Sequence, residues 1–148
     1  MGGSVTDADD AAAIMAVQNS YAIAIDRRDW VALRACFAPD ATISFGMRLQ
    51  VGTLDEFMAW AADFHDPLGP TLHQISTHHV EFQASAAVAA ASCYLHAVLV
   101  DAARGSATSV FGRYDDEFVR RHDHWEIRRR RFRPTWLSTS VAAGGPRA

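Results

Sequence analysis

Apolar side chains recur at helical spacing in the first part of the chain, at Ile14, Val17, Tyr21 and Ile25. This spacing predicts an amphipathic helix with one buried face that ends near Asp26. Thr6 or Asp7 has a side chain suited to cap the start of this helix. Asp29 is a candidate N-cap for a short second helix that continues through Trp30.

The next stretch carries turn and strand signals in quick succession. Residues 37–40 contain a proline and predict a turn, and the apolar residues 41–45 predict a short strand that ends at Gly46. Residues 48–51 are a candidate hairpin partner for this strand.

A third helix is predicted from its cap. Thr53 and Glu56 have the spacing of a capping box, in which each side chain accepts a hydrogen bond from the backbone N–H of the other residue. The helix is expected to run through Phe64. Residues 66–70 contain two prolines and a glycine, which end it.

Beyond residue 70 the pattern becomes strand-like. Four long segments, bounded by polar or small-residue turns, are candidate strands: residues 71–82, 86–101, 107–121 and 125–133. Because ordinary strands have about five or six residues, strands of this length predict a strongly curved, bulged sheet. Helices that precede an antiparallel sheet predict an α+β fold in which the sheet wraps around the helices. The domain is expected over residues 1–136, followed by a small-residue tail over 137–148.

Composition narrows the class of protein. The 148 residues suffice for one domain with a substantial core, and 49% of them are hydrophobic. The net charge of -3 gives no reason to expect binding to nucleic acid or to an anionic membrane. All 14 basic residues are arginines, which together with the abundant alanine indicates a bacterial genome of high GC content.

Cysteine usage and the first residues indicate a compartment. Cys36 and Cys93 lie in apolar contexts, which favours a reducing environment over a disulfide framework. The first ten residues are acidic and polar, unlike a signal peptide, and no apolar run reaches membrane-spanning length. These features predict a soluble, cytoplasmic protein.

Several short motifs occur in an order typical of one superfamily. They are Tyr21-x-x-x-x-Asp26-x-x-Asp29-Trp30, Phe37-Ala-Pro39-Asp40-Ala, Thr71-Leu-His73, Gly112-Arg-Tyr114-Asp-Asp116 and Trp125-Glu-Ile-Arg. With them the sequence resembles the nuclear transport factor 2-like superfamily, and within it the SnoaL-like group that includes scytalone dehydratase, bile-acid 7α-dehydratase and the lindane dehydrochlorinase. The resemblance implies a cone-shaped α+β barrel. Because this fold hosts many activities, the resemblance defines the reaction less closely than the fold.

His73 and Asp26 are the leading candidates for catalysis. The resemblance implies that a histidine at the start of the first long strand, here His73, is the catalytic base, and that Asp26 orients it. A carboxylate that accepts the N–H of one imidazole nitrogen fixes the tautomer and makes the other nitrogen more basic. Without the resemblance, a lone strand histidine is more often a structural residue, and Asp26 is equally well a turn residue that binds local N–H groups.

Tyr21 and His96 are the supporting catalytic candidates. The resemblance implies that the Tyr21 phenol donates a hydrogen bond to a substrate oxygen, and packing in the core is the alternative. His96 alternates with Tyr94, Val98 and Val100 on one face of its strand. An acid catalyst, a substrate clamp and a polar core residue are all compatible with the position of His96.

The arginines are concentrated in the run Arg128-Arg-Arg-Arg131-Phe-Arg133. Alternation along a strand predicts a solvated outer face on which they pair with acidic residues 115–117 of the neighbouring strand. The resemblance sets Arg130 apart, because the dehydrochlorinase has a pocket arginine near this position that stabilises a departing anion. The candidate substrate-binding residues are Arg130, Trp60, Phe111 and Tyr114, and further pocket-shaping side chains are expected from Met47, Met58 and Phe132.

The sequence has no His, Cys or Asp group with the spacing of a zinc site and no phosphate-binding loop, so neither a metal nor a cofactor is expected. The resemblance implies a cofactor-independent dehydratase, isomerase or cyclase that acts on a small hydrophobic cyclic molecule such as a polyketide, terpenoid or steroid. A non-catalytic ligand-binding or accessory module of the same fold is the alternative. Residues 87–99, with Cys93 and Leu95, are expected to form an apolar outer face that is buried in a homodimer or homotrimer.

Overall fold

The computed structural model describes residues 5–46 and 52–142, and three helices lie within these ranges. They are α1 (Val5–Arg27), α2 (Trp30–Ala35) and α3 (Leu54–His65). The predicted end of the first helix near Asp26 is confirmed. Its predicted start is wrong, because α1 already includes Thr6 and Asp7, so neither residue is an N-cap.

The caps of the two shorter helices are those that the sequence predicts. The Asp29 side chain accepts a hydrogen bond from the backbone N–H of Ala32 and caps α2. At α3 the capping box is complete, because Thr53 accepts from the Glu56 N–H while the Glu56 carboxylate accepts from the Thr53 N–H. Such caps satisfy backbone donors that the first turn of a helix leaves without partners.

Six strands form one sheet within the described residues: β1 (Phe37–Ser44), β2 (Gly52–Thr53), β3 (Thr71–Phe82), β4 (Val88–Asp101), β5 (Ser106–Arg121) and β6 (His124–Val141). Their order is β2-β1-β6-β5-β4-β3, with β1 parallel to β6 and every other pair antiparallel. The three helices pack against this curved, unclosed sheet, so the predicted α+β class is confirmed.

Two local predictions differ from the structure, and a third lies outside the described residues. Residues 37–40, predicted as a turn, belong to β1, and the irregular register of β1 with β6 accommodates Pro39 there. The predicted tail over 137–148 begins too early, because β6 remains paired with β5 through Val141. The predicted hairpin partner over 48–51 lies outside the described residues, as does Met47.

A bulge in β3 decides which of two adjacent histidines faces inward. The register of β3 with β4 shifts between Ser76 and His79, and Thr77 in this interval has a φ of 53°. The extra residue resets the alternation of side chains. His78 therefore turns toward α1, where its Nδ1 lies 2.7 Å from Oε1 of Gln18.

A second bulge lies in the arginine run of β6. Glu117 and Phe118 of β5 pair with Arg129 and Ile127, so Arg128 is the extra residue. Ile127 and Arg130 are consequently both buried, although simple alternation would place them on opposite faces.

The inner face of β4 packs against the helices. Cys93, Leu95 and Ala97 are buried there, whereas Tyr94 and His96 point to the outer face. The prediction that Cys93 and Leu95 form the outer, oligomer-forming face is therefore wrong, because they have the opposite parity. In the described part of the chain no helix is both long and apolar enough to span a bilayer.

Candidate active site

Asp26 and His73 are joined by two hydrogen bonds. Asp26 lies in the last turn of α1 and His73 near the start of β3, and Nδ1 of His73 is 2.7 Å from Oδ1 of Asp26. The backbone N–H of His73 donates to Oδ2 at 2.8 Å, and the Thr71 hydroxyl donates to Oδ1 at 2.9 Å. The distance between the two side chains is that of a hydrogen bond. Both carboxylate oxygens are thus held by the first residues of β3.

This arrangement fixes the state of both side chains. Burial alone would raise the pKa of Asp26, but the hydrogen bonds from the side chain and backbone of His73 outweigh it and lower the pKa below its usual value. An ionised carboxylate only accepts hydrogen bonds, so Nδ1 of His73 carries the proton. The lone pair of the neutral imidazole is then on Nε2. The His73 side chain as a whole is only 6% exposed.

Arg28 holds the elements that supply the pair. Its guanidinium donates to the carbonyl oxygens of Ile25 (3.0 Å), His65 (3.2 Å) and Gly69 (3.0 Å). It also donates to Oγ1 of Thr71 at 2.8 Å, and this hydroxyl in turn donates to the Asp26 carboxylate. One cation thus joins the ends of α1 and α3 to the start of β3. The sequence analysis missed Arg28, although an arginine directly after a helix is a recognisable partner for its last carbonyl groups.

His65 is a second histidine of the site that the sequence analysis missed. It is the last residue of α3 and is buried, and its ring lies 5.8 Å from that of His73. Its Nδ1 is 2.8 Å from the carbonyl oxygen of Ala61. Its only signal in the sequence is its place beside the break at residues 66–70.

Aromatic side chains surround the two histidines on the α3 side. Trp60 contacts the rings of both His65 and Phe64, at 6.5 and 5.6 Å between ring centroids. Phe57 and Phe45 continue this aromatic wall from Trp60 toward the core. The predicted pocket residue Trp60 is therefore connected to the Asp26–His73 pair through His65.

Tyr21, Tyr114 and Arg130 form a separate buried cluster. The Arg130 guanidinium lies between the two tyrosine rings, 4.2 Å from the centroid of Tyr21 and 4.0 Å from that of Tyr114. It donates two hydrogen bonds of 2.7 Å to the Asp116 carboxylate. Burial opposes the charge of Arg130, but Asp116 holds its pKa above the ordinary value.

The two tyrosine hydroxyls are weak acids in this setting. Burial raises the pKa of Tyr21 to about 12, and burial together with the neighbouring Tyr21 raises that of Tyr114 well above its ordinary value. Tyr21 stacks on Phe57, whose ring contacts Trp60. The cluster thus joins the Asp26–His73 pair through the aromatic wall and not by direct contact.

His96 and Phe111, two of the predicted site residues, lie elsewhere. His73 pairs with Ala97, whose side chain is buried on the inner face, so His96 has the opposite orientation. On the outer face the His96 ring stacks on that of Phe111, with centroids 4.1 Å apart. The placement of these two residues in the pocket is wrong, because the parity of β4 and β5 turns both side chains away from the helices.

Among the described residues, two open grooves lie away from Asp26 and His73, which line neither of them. A groove of about 620 Å³ follows β1 and β6 and includes Arg130 and Phe132, and one of about 610 Å³ crosses the outer face beside His96 and Phe111. The Asp26–His73 pair and these two grooves therefore occupy different places. Across the residues that the structure describes, no three His, Cys, Asp or Glu side chains form a group that could hold a metal ion.

The SnoaL-like domain family matches residues 6–131 of the chain. The chain belongs to the SnoaL-like family. No curated protein sequence matches it.

Solved structures share its fold. A provisionally assigned scytalone dehydratase from Novosphingobium aromaticivorans has a TM-score of 0.84 and 22% identity, with 97% of each chain covered. A provisionally assigned aromatic ring hydroxylase from the same species has a TM-score of 0.81 and 23% identity, covering 89% of this chain and 94% of its own. The hexachlorocyclohexane dehydrochlorinase LinA-type3 from Novosphingobium barchaimii has a TM-score of 0.75 and 18% identity, with 93% of each chain covered. At these identities the likeness establishes the fold alone.

Proposed function

We propose that this SnoaL-like protein is a cofactor-independent lyase or isomerase, similar to a dehydratase or cyclase, with the Asp26–His73 pair as its general base. The observation that carries the proposal is the 2.7 Å contact between Oδ1 of Asp26 and Nδ1 of His73. Enzymes use this geometry to prepare an imidazole for proton abstraction. The dehydratases and dehydrochlorinases of this fold support the same class of reaction.

The step that this pair performs is proton removal from carbon. Nε2 of His73 takes a proton from a carbon atom next to an electron-withdrawing group, and the imidazolium that forms is stabilised by the Asp26 carboxylate. In a lyase the electron pair of the broken C–H bond forms a C=C bond and expels a group from the adjacent carbon. In an isomerase His73 returns the proton to another carbon of the same molecule.

The surroundings of His73 favour an apolar, cyclic substrate, such as a polyketide, terpenoid or steroid ring. Trp60 and Phe64 provide flat apolar surfaces beside the two histidines. Aromatic side chains bind planar or ring-shaped molecules through their large apolar faces. Tyr21, Tyr114 and Arg130 lie behind this wall and support it from the core.

Two simple ketones test the proposal without knowledge of the natural substrate. Dehydration of 3-hydroxycyclohexanone and double-bond migration in cyclohex-3-enone both give cyclohex-2-enone, whose conjugated chromophore is followed by absorbance. We expect turnover of at least one of them, and the active ketone distinguishes lyase from isomerase. Asp26→Asn and His73→Ala should each lower the rate by about 10²–10⁴-fold, because a positioned general base contributes that much.

The double variant provides the control. If Asp26 acts only through His73, the double variant should lose little more than either single variant. Independent, fully additive losses, or a His73→Ala protein of normal activity, would exclude the pair as the base. A non-catalytic binding module would bind the ketones with no turnover in any variant.

A further inference from the structure

The hydrogen-bonding state of His65 is fixed by its own helix. Nδ1 of His65 lies 2.8 Å from the carbonyl oxygen of Ala61, one turn earlier in α3. A carbonyl oxygen only accepts hydrogen bonds, so Nδ1 carries the proton of the neutral ring. The lone pair of His65 is therefore on Nε2.

His65 stays neutral in the folded protein. Burial lowers its pKa to about 4, which outweighs the hydrogen bond to Ala61. In a neutral imidazole with its proton on Nδ1, Nε2 accepts a hydrogen bond and cannot donate one. His65 is thus unable to act as a proton donor to a departing group at neutral pH.

Nε2 of His65 has no hydrogen-bond partner among the residues that the structure describes. In those residues the fully enclosed side-chain polar atoms without a partner are Oε2 of Glu126 and Nη1 of Arg130. Nε2 is not one of them, so this atom is not fully enclosed although the residue as a whole is only 4% exposed. The centroid of the His65 ring lies 5.8 Å from that of His73 and 6.5 Å from that of Trp60.

We propose that Nε2 of His65 accepts a hydrogen bond from a hydroxyl group of the substrate, an alcohol or phenol that is retained in the reaction. The inference rests on the proposed function, since it places the substrate beside both His65 and His73. The bound hydroxyl is not the group that leaves, because a departing oxygen needs a proton donor and His65 is an acceptor. The site therefore selects hydroxylated rings.

This acceptor favours ligands that carry a hydroxyl group and also disfavours ligands that lack one. A ring that carries a methyl group or a halogen in place of the hydroxyl leaves Nε2 without a partner in a mostly apolar surrounding. An acceptor left without a partner weakens binding, so a ring that carries the hydroxyl binds more tightly than an analogue that lacks it.

Phenol and toluene are suitable probes, because they differ only by the exchange of a hydroxyl for a methyl group. Their affinities are measured by NMR titration of the full chain and of His65→Phe, which keeps a flat ring but has no acceptor. The ratio of toluene to phenol dissociation constants should fall about fivefold in His65→Phe, the effect of one neutral hydrogen bond. His79→Phe, which changes an exposed histidine of β3, is the matched control and should keep the wild-type ratio.

A second measurement needs no variant. In ¹⁵N-labelled wild-type protein the Nε2 resonance of His65 should move on addition of phenol and stay in place with toluene. An Nε2 resonance that is indifferent to phenol, or a ratio unchanged in a folded His65→Phe protein, overturns the inference. Failure of the proposed function is distinct from this, since it would appear as ketone turnover that survives His73→Ala, with the preference for phenol intact.

Discussion

The side chains of Arg130 and His73 are both nearly enclosed, but they differ in how many of their polar groups are bound by other residues. The Arg130 charge is matched by a bidentate contact with Asp116 and is covered by two tyrosine rings. Asp26 binds one ring nitrogen of His73, and the other has no hydrogen-bond partner in the part of the chain that the structure describes. At the residue scale the first pattern is that of a structural ion pair, and the second that of a reactive group.

Arg130→Ala should destabilise the protein strongly. Removing one partner of a buried ion pair leaves the Asp116 carboxylate without its counter-charge, which costs about 3–5 kcal/mol. Arg129→Ala is the matched control, because Arg129 is exposed and pairs with Glu117 at the surface, so its loss should cost less than about 0.5 kcal/mol. Urea denaturation measures both changes. Equal stabilities of the two variants would show that the Arg130–Asp116 contact is not a stabilising pair.

The protonation of His65 predicts a pH dependence of stability. Its pKa is about 4 in the folded protein against an ordinary value of 6.5, so between these pH values the unfolded chain binds a proton that the folded chain does not. Stability should therefore fall as the pH is lowered from 6.5 to 4, by up to about 1.4 kcal/mol per pH unit from this residue. The difference in unfolding free energy between wild type and His65→Phe isolates the effect. A difference that stays constant over this pH range would contradict it.

At the scale of elements, the site is assembled where α1, α3 and β3 end or begin together. Arg28 has a φ of 56° and lies just after α1, which aims its side chain at the carbonyl groups at the end of α3. A cation is favourable there, because the last carbonyl groups of a helix carry partial negative charge. The alignment of Asp26 with His73 depends on this junction.

Arg28→Ala should lower both stability and turnover. We expect the free energy of unfolding to fall by about 1.5–3 kcal/mol, which is typical of hydrogen bonds to a charged group. We also expect kcat to decrease, because Thr71 no longer holds the Asp26 carboxylate firmly. Arg27→Ala is the control, since Arg27 is exposed at the end of the same helix and should change stability by less than about 0.5 kcal/mol. Thermal unfolding and the ketone assay report the two effects. If Arg28→Ala matched Arg27→Ala in both stability and turnover, the junction would have no role in the mechanism.

At the scale of the whole molecule, the outer face of the sheet carries large exposed side chains. Trp136 pairs with Phe111, and Phe111 pairs with His96, so their side chains form a row across three strands. Trp136 is 64% exposed, and Tyr94 and Leu72 are exposed on the same face. Contiguous exposed apolar surface of this kind is typical of protein interfaces.

We expect a homodimer or homotrimer that buries this outer face. Trp136→Glu places a charge in the row and should shift the protein to monomer, because an unpaired charge at an interface core is unfavourable. Val31→Glu alters a residue of α2 that is 83% exposed and away from the sheet, so it should leave the assembly unchanged. Light scattering at micromolar concentration measures the mass. A monomeric wild-type protein would contradict the prediction.

Local signals in the sequence determined most of the elements and several of their ends. Asp29, and Thr53 with Glu56, begin helices because their side chains accept from backbone N–H groups a few residues away. The boundaries of β3 follow from the proline at residue 70 and the end of the apolar alternation. Such interactions span a single turn or strand, so the order of residues is enough to define them. The family motifs indicated Asp26 and His73 in the same way.

Only the tertiary structure decided which face each strand residue occupies. A side-chain period of two gives the parity of His96 with Tyr94, but the position of the helices defines which parity is inner. The bulges at Thr77 and Arg128 shift this parity within a strand, and they depend on pairing with residues far away in the chain. His65 and Arg28 joined the site for the same reason, since their partners come from elements that are distant in sequence and adjacent in space.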